Sequence, residues 1–270
     1  MSEFTVLRMK RKEETRRRTA VVTGAATGIG AAITERLAGQ GMHVVLVARD
    51  GARLEAAAER LRAEHGSQVS TLVLDLSRPG APSRLAEWLA GSGTEVDVLV
   101  NNAGVSLMGP VADTDPARVR GLVDLNAGAV AELTALLLPS MVARGAGAIV
   151  NIASTGAYAP APYVAAYAAS KAFVLSFTQA VWAETRATGV RVVAVSPGPT
   201  DTAMNTRRIP GKRAPGSVAD TVISALRGRG PTVVDGPLNT FQTFVFGRLL
   251  PASAAARIAE RSLRKAALAN

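Results

Sequence analysis

Short runs of β-branched and aliphatic residues alternate along this chain with longer stretches in which Ala and Leu recur at helical spacing. The runs predict strands at 19–23, 43–48, 70–74, 96–100, 147–152, 190–195 and 231–234. The stretches between them predict helices at 29–40, 51–65, 79–91, 116–144, 163–188 and 217–229, each bounded by Gly, Pro, Asp or Ser. Runs such as Val44-Val45-Leu46-Val47 and Val96-Asp97-Val98-Leu99-Val100 are apolar at successive positions. Both faces of such strands are buried, which favours a sheet covered by helices on both sides over a barrel. The expected fold class is α/β: a doubly wound parallel sheet of about seven strands in a Rossmann-like three-layer sandwich, formed by a single domain. In such a sheet ligands bind beyond the carboxyl ends of the strands, so the chemistry is sought in the loops that follow them.

Composition narrows the chemistry. The 270 residues contain no cysteine, which excludes disulfide frameworks, thiolate metal sites and cysteine nucleophiles. The two histidines, His43 and His65, have no carboxylates at metal-ligand spacing, and no metal is expected. The formal charge of +10 resides mainly at the ends: residues 1–18 carry seven Lys/Arg against three Glu, and residues 248–265 carry five against one. The central fold therefore lacks the charge of a nucleic-acid-binding body, and no nucleic-acid partner is expected. The run from Arg8 to Arg18 reads as a solvated, disordered tail, with contact to anionic lipid or nucleic acid as the competing reading. No signal-peptide core follows it and no run of 18 or more apolar residues occurs, so a soluble, cytoplasmic protein is expected. The domain plan is a tail (1–18), a catalytic domain (19–235) and an amphipathic C-terminal extension (236–270).

The first strand runs into Thr23-Gly24-Ala25-Ala26-Thr27-Gly28-Ile29-Gly30 and then a helix. Glycine allows a tight turn and close backbone approach, and a helix N-terminus attracts an anion such as a pyrophosphate. The second strand ends at Ala48-Arg49-Asp50, where the adenosine ribose of a dinucleotide would lie. A guanidinium there pairs with a 2′-phosphate, so Arg49 points to NADP, with NAD less favoured; the competing assignment makes Asp50 the ribose acid. Asp75 closes the third strand and could accept from an adenine amino group, while Asn101-Asn102-Ala103-Gly104 closes the fourth.

Tyr167 and Lys171 stand one helical turn apart and share a face, and Ser154 follows the fifth strand at the same rim of the sheet. A phenol is a poor proton donor-acceptor at neutral pH unless its pKa falls, and the neighbouring Lys171 ammonium together with cofactor charge is expected to lower it.

With these pieces the chain resembles the short-chain dehydrogenase/reductase family, in its compact one-domain branch. Thr23-Gly24-x3-Gly28-x-Gly30, Asp75, Asn101-Asn102-Ala103-Gly104, Asn126, Ser154, Tyr167-x3-Lys171 and Pro197-Gly198-x3-Thr202 carry the resemblance, in family order from about residue 19 to 235. It implies hydride transfer between NADP(H) and a ketone, aldehyde or secondary alcohol. Tyr167 would be the general acid or base, Ser154 would hold the substrate oxygen, and Lys171 would bind the nicotinamide ribose. Asn126 would anchor a water that links Lys171 to solvent. The implied cofactor contacts are Gly24, Thr27, Gly28, Ile29, Gly30, Arg49, Asp75, Leu76, Asn102, Ala103, Gly104, Tyr167, Lys171, Pro197, Gly198, Thr200 and Thr202. Thr27 departs from the basic residue that many NADP-using relatives carry before the second glycine, which leaves the NADP reading resting on Arg49.

Segments after Gly104, between Ser154 and Tyr167 and after Thr202 would form a substrate pocket from Val105, Leu107, Met108, Tyr158, Pro160, Tyr163 and Met204, mostly apolar and suited to a lipophilic carbonyl compound. Phe241, Phe244 and Phe246 precede a basic helix at 252–268, an amphipathic extension read as a lid or subunit contact in preference to a lipid contact. Helices 116–144 and 163–188 are apolar on more than one face and would pack in a homodimer or homotetramer. Two other functional classes remain open: a non-catalytic NADP-binding regulatory protein, and an isomerase or dehydratase that retains its nucleotide.

Overall fold

A computed structural model describes residues 17–205 and 211–267. The basic N-terminal run, apart from Arg17 and Arg18, lies outside them. Seven parallel strands form one sheet in the order β3-β2-β1-β4-β5-β6-β7: β1 (Thr19–Thr23), β2 (His43–Ala48), β3 (Val69–Val73), β4 (Val98–Asn101), β5 (Gly147–Ile152), β6 (Val190–Ser196) and β7 (Thr232–Val234). This is the expected doubly wound α/β sandwich.

The strand sequences explain the two-sided burial. Side chains alternate between faces along a strand. On one face Ala20, Val22, Val44, Leu46, Val100, Val150 and Val193 join one apolar cluster. Their neighbours Val21, Val45, Val47, Leu99, Ile149 and Val192 join a second cluster on the other face. Each fully buried Val or Leu contributes about 1.5–3 kcal/mol, so the continuous apolar runs hold helices on both sides.

Helices α1 (Gly28–Gly39), α2 (Gly51–His65), α3 (Ala81–Gly91), α4 (Pro116–Val123), α5 (Ala129–Arg144), α6 (Ala165–Thr185) and α7 (Pro215–Arg227) cover the sheet. Beyond β7 come α8 (Pro237–Phe244) and α9 (Ala252–Ala267).

Two local departures from expectation have physical causes. The fourth strand starts at Val98, not 96, because Asp97 turns its carboxylate onto Thr19 N at 2.6 Å. The helix expected over 116–144 is interrupted by a π-helical turn, Asp124–Gly128, between α4 and α5. Such turns concentrate at functional sites, and this one carries the fully buried Asn126. By length and composition the run Pro116–Arg144 could cross a membrane. In the fold Leu122, Val130, Leu133, Leu137 and Met141 are buried along it.

The sheet order reverses between β1 and β4, leaving a crevice at the carboxyl ends of the strands. The loops after β1, β2, β4, β5 and β6 all open into it.

Candidate active site

A cleft of about 680 Å³ occupies that crevice, a size typical of small-molecule sites. At one end the turn after β1 is shaped by glycine. Gly24 and Gly28 hold positive φ of 66° and 56°, a region L side chains rarely adopt. A Cβ on Gly30 would collide with Gly24 O and the Asn102 side chain. Thr27 precedes α1 without a side-chain cap, so N–H groups of the first helical turn have no side-chain acceptor and the positive end of the helix dipole faces the cleft. The turn is fastened to the loop after β4. Thr23 Oγ1 accepts from Asn102 N and Ala103 N, both at 3.0 Å, and Asn102 Nδ2 donates to Thr23 O at 2.9 Å. This cradle fits a pyrophosphate.

Arg49, Asp50 and Arg53 line the adjoining part of the cleft. Asp50 is already engaged: it caps α2 by accepting from Arg53 N at 3.1 Å and pairs with the Arg53 guanidinium at 3.3 Å. The Asp50 side chain remains 47% exposed, and the Arg49 and Arg53 side chains line the same corner. Asp75 and Leu76 close the far wall. Asp75 Oδ1 accepts from Ser77 N and Ser77 Oγ, which hold its carboxyl below the usual carboxylate range, with smaller help from Arg78 and Arg49.

At the other end Ser154, Tyr167 and Lys171 converge on the cleft. Ser154 follows β5 and accepts from Gly156 N at 3.1 Å, which orients its hydroxyl. Gly156 lies between the two hydroxyl-bearing residues: a Cβ there would sit 3.5 Å from Ser154 Oγ and 3.9 Å from the Tyr167 ring. Lys171 is 4% exposed, and its Nζ donates to Ile152 O at 2.7 Å. Burial lowers its pKa to about 8.

Burial pushes the Tyr167 pKa up and the Ser154 hydroxyl offsets this in part. The Asn126 amide donates to Val105 O at 2.9 Å and to Ser170 Oγ at 3.1 Å, so both of its donors are taken by protein groups.

The loop after β6 closes the cleft with Pro197, Gly198, Thr200 and Thr202. Its base is tied down by Arg213, which pairs with the fully buried Asp235 at 2.5 Å, while Thr221 donates to the same carboxylate at 2.6 Å. Arg213 N and O bond to Pro199 O and Asp201 N.

Of the expected substrate-pocket residues, Val105, Met108 and Met204 line the cleft. Tyr158 and Tyr163 do not. The Tyr158 hydroxyl lies 3.3 Å from Ser196 Oγ and its ring packs beside Ala153 and Val174. Tyr163 adopts a positive φ of 65° in the turn before α6, where its carbonyl accepts from Gly109 N. Aromatic identity alone did not separate a pocket wall from a packed turn. Arg53 and Leu263 are among the lining residues that the sequence reading did not name. Arg53 lies in the first turn of α2, and its spacing from Arg49 was the available signal. Leu263 comes from α9, inside the extension read as a lid or subunit contact, and no local pattern singled this residue out. Away from the cleft, Glu35, Glu64 and His65 bring possible ligand atoms within 4.8 Å of one another, a grouping that exposed acidic residues adopt without an ion.

Comparisons with known proteins agree with this geometry. Residues 18–213 match the short chain dehydrogenase family. An uncharacterized oxidoreductase of Staphylococcus saprophyticus is 36% identical over 211 residues, 77% of this chain and 90% of that protein. A ketoacyl reductase of Nostoc sp. is 33% identical over 224 residues, 80% of this chain and 78% of that protein. The structure of a short-chain dehydrogenase from Sphingobium yanoikuyae in complex with NADPH superposes with a TM-score of 0.77 at 32% identity, covering 87% of this chain and 97% of that one. With the sheet order, the glycine cradle and the Ser154, Tyr167, Lys171 group in place, this chain belongs to the short-chain dehydrogenase family of oxidoreductases.

Proposed function

We propose that the protein is an NADPH-dependent reductase of lipophilic ketones or aldehydes, with Tyr167 as the proton donor. The observation that carries this reading is the placement of the half-buried Tyr167 phenol beside Ser154 in a cleft whose opposite end presents Arg49 and Arg53. When bound, NADPH supplies a hydride from C4 of its nicotinamide.

The residues that would hold the cofactor follow from the site. The N-terminus of α1 suits the pyrophosphate, and Arg49 with Arg53 suits a 2′-phosphate. Asp75 and Leu76 suit the adenine, and Lys171 suits the nicotinamide ribose. The Ser154 hydroxyl donates to the substrate oxygen and fixes it near the Tyr167 hydroxyl. Tyr167 gives its proton to that oxygen as negative charge develops there.

Val105, Met108, Met204 and Leu263 give the substrate end an apolar lining, which supports a lipophilic substrate. The name of the Nostoc relative points the same way. The half-exposed Val123, Leu136 and Phe173 supply apolar surface on α4, α5 and α6 for packing against a second subunit.

The test is NADPH consumption by purified protein against ketones of graded chain length. Net turnover that rises with chain length is expected, and Tyr167→Phe should lower kcat by about a hundredfold or more. Retention of most turnover by Tyr167→Phe would refute the assignment. A cofactor that stays bound without net oxidation would instead indicate an isomerase or dehydratase.

A further inference from the structure

Helix α8 is folded inside out. Its apolar residues Leu238, Phe241 and Phe244 are 63%, 65% and 52% exposed, whereas its polar Asn239 and Thr243 are buried. The register is set by Asn239. Its Nδ2 donates to Asp235 O, and its side chain packs so closely on Gly198 that a Cβ there would overlap it. Burying Asn239 turns the row of Leu238, Phe241 and Phe244 to solvent, because residues three apart share a helix face. The exposed row continues through the π-helical turn Val245–Leu249, where Leu249 is 61% exposed beside the exposed Arg248. Contiguous exposed aromatic and aliphatic side chains of this size mark an interaction surface.

The charge around the row identifies the partner. Arg257, Arg261, Arg264 and Lys265 recur at i, i+4, i+7 and i+8 on α9 and are all exposed, so they form one cationic stripe, with the exposed Ile258 beside it. No ion pair among the described residues engages these four or Arg248. Between residues 237 and 267 the only acid is Glu260. A second copy docked through this face would oppose five cations to five, and the protein's own N-terminal run is also basic. Both of those occupants are repelled. An anionic surface with an apolar interior complements both the charge and the side chains, and a nucleic acid offers no comparable medium for Leu238, Phe241 and Leu249.

We propose that α8, the π-helical turn and α9 form a docking surface for an anionic lipid bilayer, with Leu238, Phe241, Phe244 and Leu249 entering the interface and the α9 cations meeting the headgroups. Docking in this way sets the enzyme on the phase in which a lipophilic carbonyl substrate would partition, and it stands whether or not NADPH is the favoured cofactor.

The experiment is cosedimentation of the full-length protein with phosphatidylcholine vesicles, with and without about one third phosphatidylglycerol. Binding is expected to the anionic vesicles only, and salt on the order of 0.5 M should reverse it. The exposed-face double variant Phe241→Ser/Phe244→Ser should lower partitioning about tenfold or more while leaving NADPH turnover in solution and the far-ultraviolet circular dichroism unchanged. Arg257→Gln, Arg261→Gln and Arg264→Gln should each lower it by up to about fivefold. Anionic-vesicle binding that the Phe variants do not weaken would mean that basic segments alone are responsible, and would overturn the proposal. So would an absence of vesicle binding, and if the double variant then also lowers the sedimentation mass, the face is a subunit contact.

Discussion

Asn126 holds Val105 by both of its backbone groups: Oδ1 accepts from Val105 N and Nδ2 donates to Val105 O, each at 2.9 Å. The same amide reaches Ser170 Oγ, which donates to Tyr167 O at 2.7 Å. One buried side chain in the π-helical turn thus ties the cleft-lining loop after β4 to the helical turn that carries Tyr167 and Lys171.

Asn126→Ala is expected to act through position. Removing the amide leaves Val105 and Ser170 groups without their partner, at a cost of about 3 kcal/mol. The loop and Tyr167 then lose their mutual alignment, so kcat should fall about ten- to a hundredfold while KM for NADPH changes by less than about threefold. Urea unfolding with steady-state kinetics checks both, and a large rise in the NADPH KM with normal kcat would contradict the positioning role.

Lys171 makes stability depend on pH. Its folded pKa is lowered from 10.5 to about 8 by burial, so between these values the unfolded chain binds more protons than the folded one. The cost of burying the ammonium is therefore fully present below pH 8 and disappears as pH rises towards 10.5. For the nucleotide-free protein, the stability of wild type relative to Lys171→Met should increase across that window. Urea midpoints of the two proteins measured in parallel test this; a constant difference would show that the folded and unfolded pKa values do not differ.

Arg49 and Asp50, adjacent in sequence, should separate cleanly. Arg49→Ala should lower kcat/KM for NADPH about ten- to a hundredfold with little effect on NADH, because a charge-assisted contact to the 2′-phosphate is lost. Asp50→Ala removes the cap of α2 and should cost about 1 kcal/mol of stability without reversing cofactor preference. A wild type that prefers NADH would refute the Arg49 argument.

Arg213→Ala would strand the carboxylate of Asp235 in the interior. Loss of one partner of a buried pair destabilises by about 3 kcal/mol. Since Arg213 also anchors Pro199 and Asp201 through its backbone, the loop carrying Thr200 and Thr202 should loosen, and KM for NADPH should rise more than kcat falls. Thermal unfolding and cofactor titration measure the two effects; a variant as stable as wild type would show that the pair contributes nothing.

Much of the molecule was legible along the chain. Val44 to Val47 announced a strand buried on both sides because two-sided burial demands apolar residues at successive positions. Gly24, Gly28, Tyr167 and Lys171 were legible because turn geometry and helical spacing are local properties. Side-chain direction was not: Tyr158 and Tyr163 turned to other partners, and Leu263 reached the cleft from a helix far along the chain.

The sequence by itself determined which segments form strands and helices and which residues can meet at the carboxyl ends of the strands, since hydrophobic periodicity and glycine conformation act within a few residues. Only the tertiary structure decided the strand order, the engagement of Asn126 and the reversed face of α8. Each of these depends on burial and on partners distant in the chain, and the desolvation and hydrogen bonding they impose outweigh what the local pattern prescribes.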